Sequence, residues 1–231
     1  MTAATALNKQ PLGIMGGAFD PVHYGHLRSA VELQEYLGLG ELRFIPSANP
    51  PHREPHIASA ELRVRMLEVA LEGMPGCVVD QRELHREGPS WSVLTLEEIR
   101  AEVADCSLCM ILGMDAFLGL PDWHRWEELF GLAHIVVAYR PGSKAPESGV
   151  LGELIRKRGV SGPKELQAAP AGQLLLHEVT QLEISSTTVR DFLHHGRSAR
   201  HLLPDAVLKI INESDCYNGS ISLSKERGLH G

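Results

Sequence analysis

Residues 12–26 read Leu12-Gly13-Ile14-Met15-Gly16-Gly17-Ala18-Phe19-Asp20-Pro21-Val22-His23-Tyr24-Gly25-His26. Four mostly apolar residues, Leu12 to Met15, suit a buried strand. Two glycines follow, so the backbone can turn tightly and approach a ligand with no Cβ in the way. From His26 to Leu37 the residues Leu27, Ala30, Val31, Leu33 and Leu37 form one apolar helical face, and Gly38 is placed to end that helix. The unit is therefore strand, glycine turn, helix. The start of such a helix offers unpaired N–H groups and the positive end of its dipole, which suits phosphate. His23 and His26, three apart, project on one side if both lie in the first turn, and two imidazoles there can donate to phosphate oxygens.

The same alternation continues outward. Strands are expected at Leu42–Ile45, Gly76–Asp80, Ser107–Leu112, Ile135–Ala138 and Leu174–His177. Helices are expected at Ala60–Leu71, Ser92–Val103, Val150–Lys157, Thr187–His195 and Pro204–Ile211. The run from Ser107 to Leu112 is almost wholly apolar, as a parallel strand buried on both faces requires. This pattern predicts an α/β fold, doubly wound, with a mostly parallel sheet and helices on both faces. Ligands of such sheets bind beyond the carboxyl ends of the strands, near the switch point. The polar and glycine-rich segments after Met15, Ile45, Leu112 and Ala138 all fall there. Pro46 to Ser59 reads as a loop, and Pro141 to Gly172 as a mobile or peripheral excursion. Residues 1–213 are expected to form one domain, with a polar tail from 214 to 231.

Composition narrows the class. The chain has 231 residues, 43% hydrophobic and 22% charged, which is ordinary for a water-soluble globule with a core needing no disulfides. A net charge of -7 argues against nucleic acid as a partner, since that affinity comes from Lys and Arg on phosphates. No apolar run approaches a membrane span, and Met1 to Gln10 lacks the apolar core of a signal peptide. The four scattered cysteines read as reduced thiols in a cytoplasmic protein. Cys106 and Cys109 read as buried structural thiols, because no second ligand pair accompanies them, and no protein metal site is expected. Nothing in the sequence specifies an oligomeric state.

A second phosphate-type segment is Ile184-Ser185-Ser186-Thr187-Thr188-Val189-Arg190. Its hydroxyls can cap a helix, with Thr188 and Asp191 spaced as an acidic capping box. The same helix start can cradle terminal phosphates, with Arg190 supplying a fixed positive charge. The string ending His23-Tyr24-Gly25-His26 resembles the His-x-Gly-His signature of the nucleotidyltransferase superfamily, and Ile184 to Arg190 resembles its second signature. It is neither a dinucleotide fingerprint nor a P-loop.

Further strings resemble the nicotinate mononucleotide adenylyltransferase family. They are Phe19-Asp20-Pro21-Val22-His23, Pro50-Pro51-His52-Arg53, Pro89-Ser90-Trp91-Ser92, Gly113-Met114-Asp115, Pro121-Asp122-Trp123 and Tyr139-Arg140-Pro141-Gly142. Two departures stand out: Arg53 replaces Lys, and Trp91-Ser92 replaces Tyr-Thr. The resemblance implies a Rossmann-like nucleotidyltransferase fold and the transfer of AMP from ATP to nicotinate mononucleotide, releasing pyrophosphate. It implies that His23 and His26 are catalytic. It implies that ATP meets Gly16, Gly17, Ala18, Phe19, His23, His26, Gly113, Asp115, Ile184, Ser185, Ser186, Thr187 and Arg190. It implies that the acceptor meets His52, Ser90, Trp91, Ser92, Asp115, Trp123 and Arg140, with Mg²⁺ held mainly through ATP phosphates. Other phosphorylated acceptors, phosphopantetheine or nicotinamide mononucleotide among them, stay open as an alternative, as does a nucleotide-binding sensor without turnover.

Overall fold

A computed structural model describes residues 10–48, 56–142, 144–180 and 182–217. The first third runs β1 (Leu12–Gly17), α1 (Tyr24–Leu37), β2 (Glu41–Pro46), α2 (Ala60–Leu71), β3 (Cys77–Val79) and α3 (Arg82–His85). Then come α4 (Ser92–Val103), β4 (Leu108–Gly113), α5 (Met114–Leu118), two 3-10 turns, α6 (Leu129–Leu132) and β5 (His134–Tyr139). The chain closes with α7 (Gly149–Arg158), β6 (Gly159–Val160), α8 (Pro163–Gln167), β7 (Leu174–Glu178), α9 (Ser186–His194) and α10 (Asp205–Ser214).

Among the described residues, seven strands form one sheet in the order β3-β2-β1-β4-β5-β7-β6, and every pairing is parallel. The order reverses direction between β1 and β4, which makes their carboxyl ends the switch point. Successive strand residues point to opposite faces. In β4, Leu108, Met110 and Leu112 join one buried cluster with α4, α5 and α6, while Cys109 and Ile111 join the other with α1, α2, α9 and α10. Val136 and Ala138 of β5 divide from Ile135 and Val137 in the same way. Both faces are thus covered, which is why the central strands are continuous apolar runs. Removing a fully buried Leu or Phe from such a core costs roughly 2–5 kcal/mol.

The long elements lie where their periodicity puts them. Gly38 ends α1 at φ 65°, a left-handed position that suits glycine, and its N–H meets the Gln34 and Glu35 carbonyls. Helix α1 begins at Tyr24, two residues before the expected start, with His23 at the N-cap position and its backbone N–H taken by His26 Nδ1. The short pieces α3, α5, α6, α8 and β6 were not expected: two to five residues carry too little periodicity to register. Residues 144–172 are peripheral and also structured, forming α7, edge strand β6 and α8, whose Leu166 is buried. Gln167 Nε2 ties α8 to the Leu37 carbonyl at 3.1 Å. Residues 214–217, placed in the expected tail, belong to the packed structure: α10 includes Ser214, and Tyr217 packs into the core. Far from the switch point, Arg100 of α4 makes five N–H bonds to the carbonyls of Ala104, Cys106, Leu132 and Pro170, pinning the chain where it enters β4, β5 and β7.

Candidate active site

Registers bring the strand ends into line: Gly17 of β1 pairs with Pro46 of β2, and Gly113 of β4 with Ala138 of β5. Gly16 and Gly113 have open space where a Cβ would stand. The loop after β1 turns through Phe19 at φ 48°, with a cis Asp20–Pro21 peptide, into α1. Phe19 does not present its side chain to a ligand. The Phe19 ring is 1% exposed, packed under Gly17 and edge-on to His26 with centroids 5.1 Å apart, so the backbone is what this stretch can offer.

His23 caps α1 and His26 sits three residues on. Their rings stack, centroids 3.8 Å apart. His26 Nδ1 accepts the His23 backbone N–H at 3.4 Å, which leaves the ring proton on Nε2 as a donor. Burial lowers the His23 pKa to about 4; burial, and then the neighbouring His23, lower that of His26 to about 3. Both rings are therefore neutral near pH 7 in the ligand-free protein. Gly25 between them is demanded by space: a Cβ there would lie 2.9 Å from His23 Nδ1 and 3.2 Å from the Ile184 carbonyl.

That carbonyl belongs to the second segment, and the two segments are bolted together. Ser186 Oγ donates to the Pro21 carbonyl at 2.9 Å, and Arg190 Nη1 to the Asp20 carbonyl at 2.7 Å. Ser185 is the N-cap of α9, accepting the Thr188 N–H at 3.0 Å, a contact worth about 1 kcal/mol. The cap is thus Ser185 rather than Thr188, which falls inside the first turn. Thr187 Oγ1 accepts from Arg190 Nη2 at 3.4 Å. These hydroxyls hold the motif in shape and leave the backbone N–H groups at the helix start for an anion.

On the far side of the switch point, Gly113 precedes α5 and Asp115 lies exposed in its first turn. Asp115 does not cap that helix; Gly113 holds the cap position. Trp91 caps α4 without a side-chain bond, and its own N–H is taken by the Pro89 carbonyl at 3.0 Å. The donors left at that helix start are those of the next residues, beginning at Ser92. Ser90 Oγ accepts the Ala48 N–H at 3.1 Å, linking this start to the end of β2. Trp123 and Trp126 are both half-buried against the same cluster. The Trp91 ring stacks on His124, centroids 3.8 Å apart. No sequence signal pointed to His124, since the stacking joins positions 33 residues apart that share no element. Arg140 stands 3.5 Å from Glu183, beside the second segment. His52 lies outside the described residues.

Residues 14–192 match the family described as cytidylyltransferase-like. A probable nicotinate-nucleotide adenylyltransferase of Methylococcus capsulatus is 52% identical over 207 residues, 89% of this chain and 99% of that protein. The chain belongs to the nicotinate-nucleotide adenylyltransferase family. A probable member from Pseudomonas putida is 46% identical over 218 residues, 94% of this chain and 98% of its own length. Among solved structures, the nicotinic acid mononucleotide adenylyltransferase of Plasmodium falciparum complexed with NaAD aligns with a TM-score of 0.69, covering 90% of this chain and 97% of that one. At 16% identity that likeness speaks for the family fold. The nucleotidyltransferase fold read from the two signatures is the one observed.

Among the described residues, no group of three or more His, Cys, Asp or Glu could hold a metal ion, and no helix is long and apolar enough to cross a membrane. Cys77, Cys106, Cys109 and Cys216 are all free, and burial pushes the Cys109 thiol up to about 12. Cys106 and Cys109 are buried, as their setting implied.

Proposed function

We propose that this member of the family transfers the AMP part of ATP to nicotinate mononucleotide. An oxygen of the mononucleotide's 5′-phosphate attacks the α-phosphorus of ATP, the bond from that phosphorus to the bridging oxygen breaks, and pyrophosphate leaves with the electron pair. The observation that carries this reading is the bolting of the two phosphate-type segments into one cradle at the switch point. No enzyme nucleophile is required, because transfer of this kind gains chiefly from positioning and charge stabilisation.

The residues divide the work by position. His23 and His26 donate to the α- and β-phosphates, where charge grows in the transition state. Backbone N–H groups from Ser186 and Thr187, with Arg190, receive the β- and γ-phosphates. Gly16, Gly17 and the backbone of Ala18 and Phe19 let the nucleotide lie against β1. Gly113 leaves room for a ribose, and the Asp115 carboxylate accepts from its hydroxyls. The Trp123 ring offers a face for the pyridine. N–H groups at the α4 start, near Trp91 and Ser92, suit a carboxylate better than an amide, whose NH₂ would meet donors. His52 and Ser90 are assigned to the same acceptor. Arg140, beside Glu183, adds positive charge near the triphosphate side of the site.

Mg²⁺ fits this donor set, since it takes few protein ligands and is held largely by phosphate oxygens and water. It would neutralise phosphate charge. Four free thiols suit a reducing cytoplasm.

The test is turnover by the purified chain with ATP and each of three acceptors: nicotinate mononucleotide, nicotinamide mononucleotide and phosphopantetheine. Pyrophosphate release is expected with the first at the highest kcat/KM. Release with phosphopantetheine alone would sink the reading, and ATP binding with no release from any acceptor would favour a sensor.

A further inference from the structure

The loop between β1 and α1 is gripped by more than its phosphate partners. Asp20, 4% exposed, lies three residues before His23. Its carboxylate accepts three bonds: the Ile57 N–H at 2.8 Å on Oδ2, the Ala58 N–H at 3.1 Å on Oδ1, and the Tyr217 hydroxyl on Oδ1. Its backbone carbonyl is the acceptor of Arg190. Arg63, 1% exposed, donates from Nη1 to the Ala18 carbonyl at 2.9 Å, and the charges of Asp20 and Tyr217 act on it. Four distant parts of the chain thus meet on two residues of the loop.

Tyr217 is the surprising member. It follows α10, is 5% exposed, and comes 197 positions after the carboxylate it serves. A tyrosine ring alone would satisfy the core that Val207, Ile210 and Ile211 build there. A hydroxyl in that core costs free energy unless it is bonded. Here it is bonded to a buried carboxylate, the stronger kind of acceptor. Burial first, then Asp20, push its pKa far up, so it remains a donor throughout the working range.

We propose that Tyr217 is a positioning residue for adenylyl transfer, setting through Asp20 the place of the loop that carries His23. The inference rests on the proposed function. Asp20 touches no phosphate in this assignment; its backbone leads directly into Pro21, Val22 and the His23 ring. Losing the hydroxyl leaves the carboxylate with two backbone donors and frees it to tilt. A small displacement of a catalytic group lowers kcat steeply, because transition-state contacts depend on geometry more than ground-state binding does.

The test is a double-mutant cycle with Tyr217→Phe, Asp20→Ala and both together, read by kcat, the two KM values and Tm. Tyr217→Phe is expected to lower kcat by roughly tenfold and leave both KM values within about twofold. The double variant is expected to match Asp20→Ala alone, since Tyr217 acts through the carboxylate which that change removes. Tyr217→Leu, which also empties the ring site, separates packing from positioning: it should lower Tm well beyond the Phe variant. Wild-type kcat in Tyr217→Phe, or effects that multiply independently in the double variant, would overturn the proposal. So would a kcat loss that disappears once rates are referred to folded protein. Should the wild-type chain turn over a different acceptor, the proposed function fails while the same cycle, run with that acceptor, still decides the role of Tyr217.

Discussion

The two halves of the site are built differently. On the β1 side, the loop through Asp20 and Pro21 is held by Ser186, Arg190, Arg63 and Tyr217, and its histidines are stacked, His23 buried and His26 half-buried. On the β4 side, Asp115 is exposed, Trp123 is half-buried, and the Trp91 ring is covered by the exposed His124. Phosphate chemistry is the part that must be in place before the reaction, since donors fixed in advance need no rearrangement as charge develops. The acceptor side has aromatic surface and free helix-start donors, which can adjust to a ring. A rigid half for the shared step and a looser half for selectivity is what this contrast implies.

The sharpest challenge to that division is His23→Ala, expected to lower kcat by roughly 10²–10³-fold with little change in acceptor KM. Steady-state kinetics on folded variant checks it; near-normal kcat would remove the histidine from the rigid half. Acid comes next. Both histidines have pKa values below 6.5 when folded, so as pH falls from 6.5 the unfolded chain takes up protons first. Stability is therefore lost between about pH 6.5 and the folded values, about 4 and about 3, and is flat from this source below them. His23 alone accounts for up to about 3 kcal/mol. Urea titrations at pH 7 and 5 should show the drop in wild type and a smaller one in His23→Ala.

Arg190→Ala removes both a charge for phosphate and the bond to Asp20, and is expected to raise the ATP KM by about tenfold while lowering Tm. An equal rise in acceptor KM would mean that the halves are not separable. The smallest effect is expected from Trp123→Ala: a rise of about 2–10-fold in acceptor KM, with the ATP KM unchanged. Direct calorimetric binding of ATP to that variant gives an independent reading.

The sequence was informative where local physics dominates. Long apolar periods marked the strands and the main helices, because in β4 and β5 every residue but the last is buried on one face or the other. The phosphate segments were legible because a glycine turn and hydroxyl-rich helix starts need particular residues in particular order. Less was legible where contacts cross the chain. Nothing near Asp20 signals that its partners are Ile57, Ala58 and Tyr217. Nor does anything near Trp91 signal His124. The Thr188 cap fails for a local reason: two hydroxyls in one short run could each start the helix, and Ser185 is the one that accepts the Thr188 N–H.

Arg100 leaves a separate consequence. Its five bonds fasten the end of the sheet opposite the chemistry, and no residue assigned to ATP or acceptor takes part. Lysine, with three donors on one atom, could not span those four carbonyls. The scaffold can therefore be loosened or tightened at that end with the reacting groups untouched, which gives evolution, or an engineer, a means of tuning the enzyme's lifetime independently of its rate.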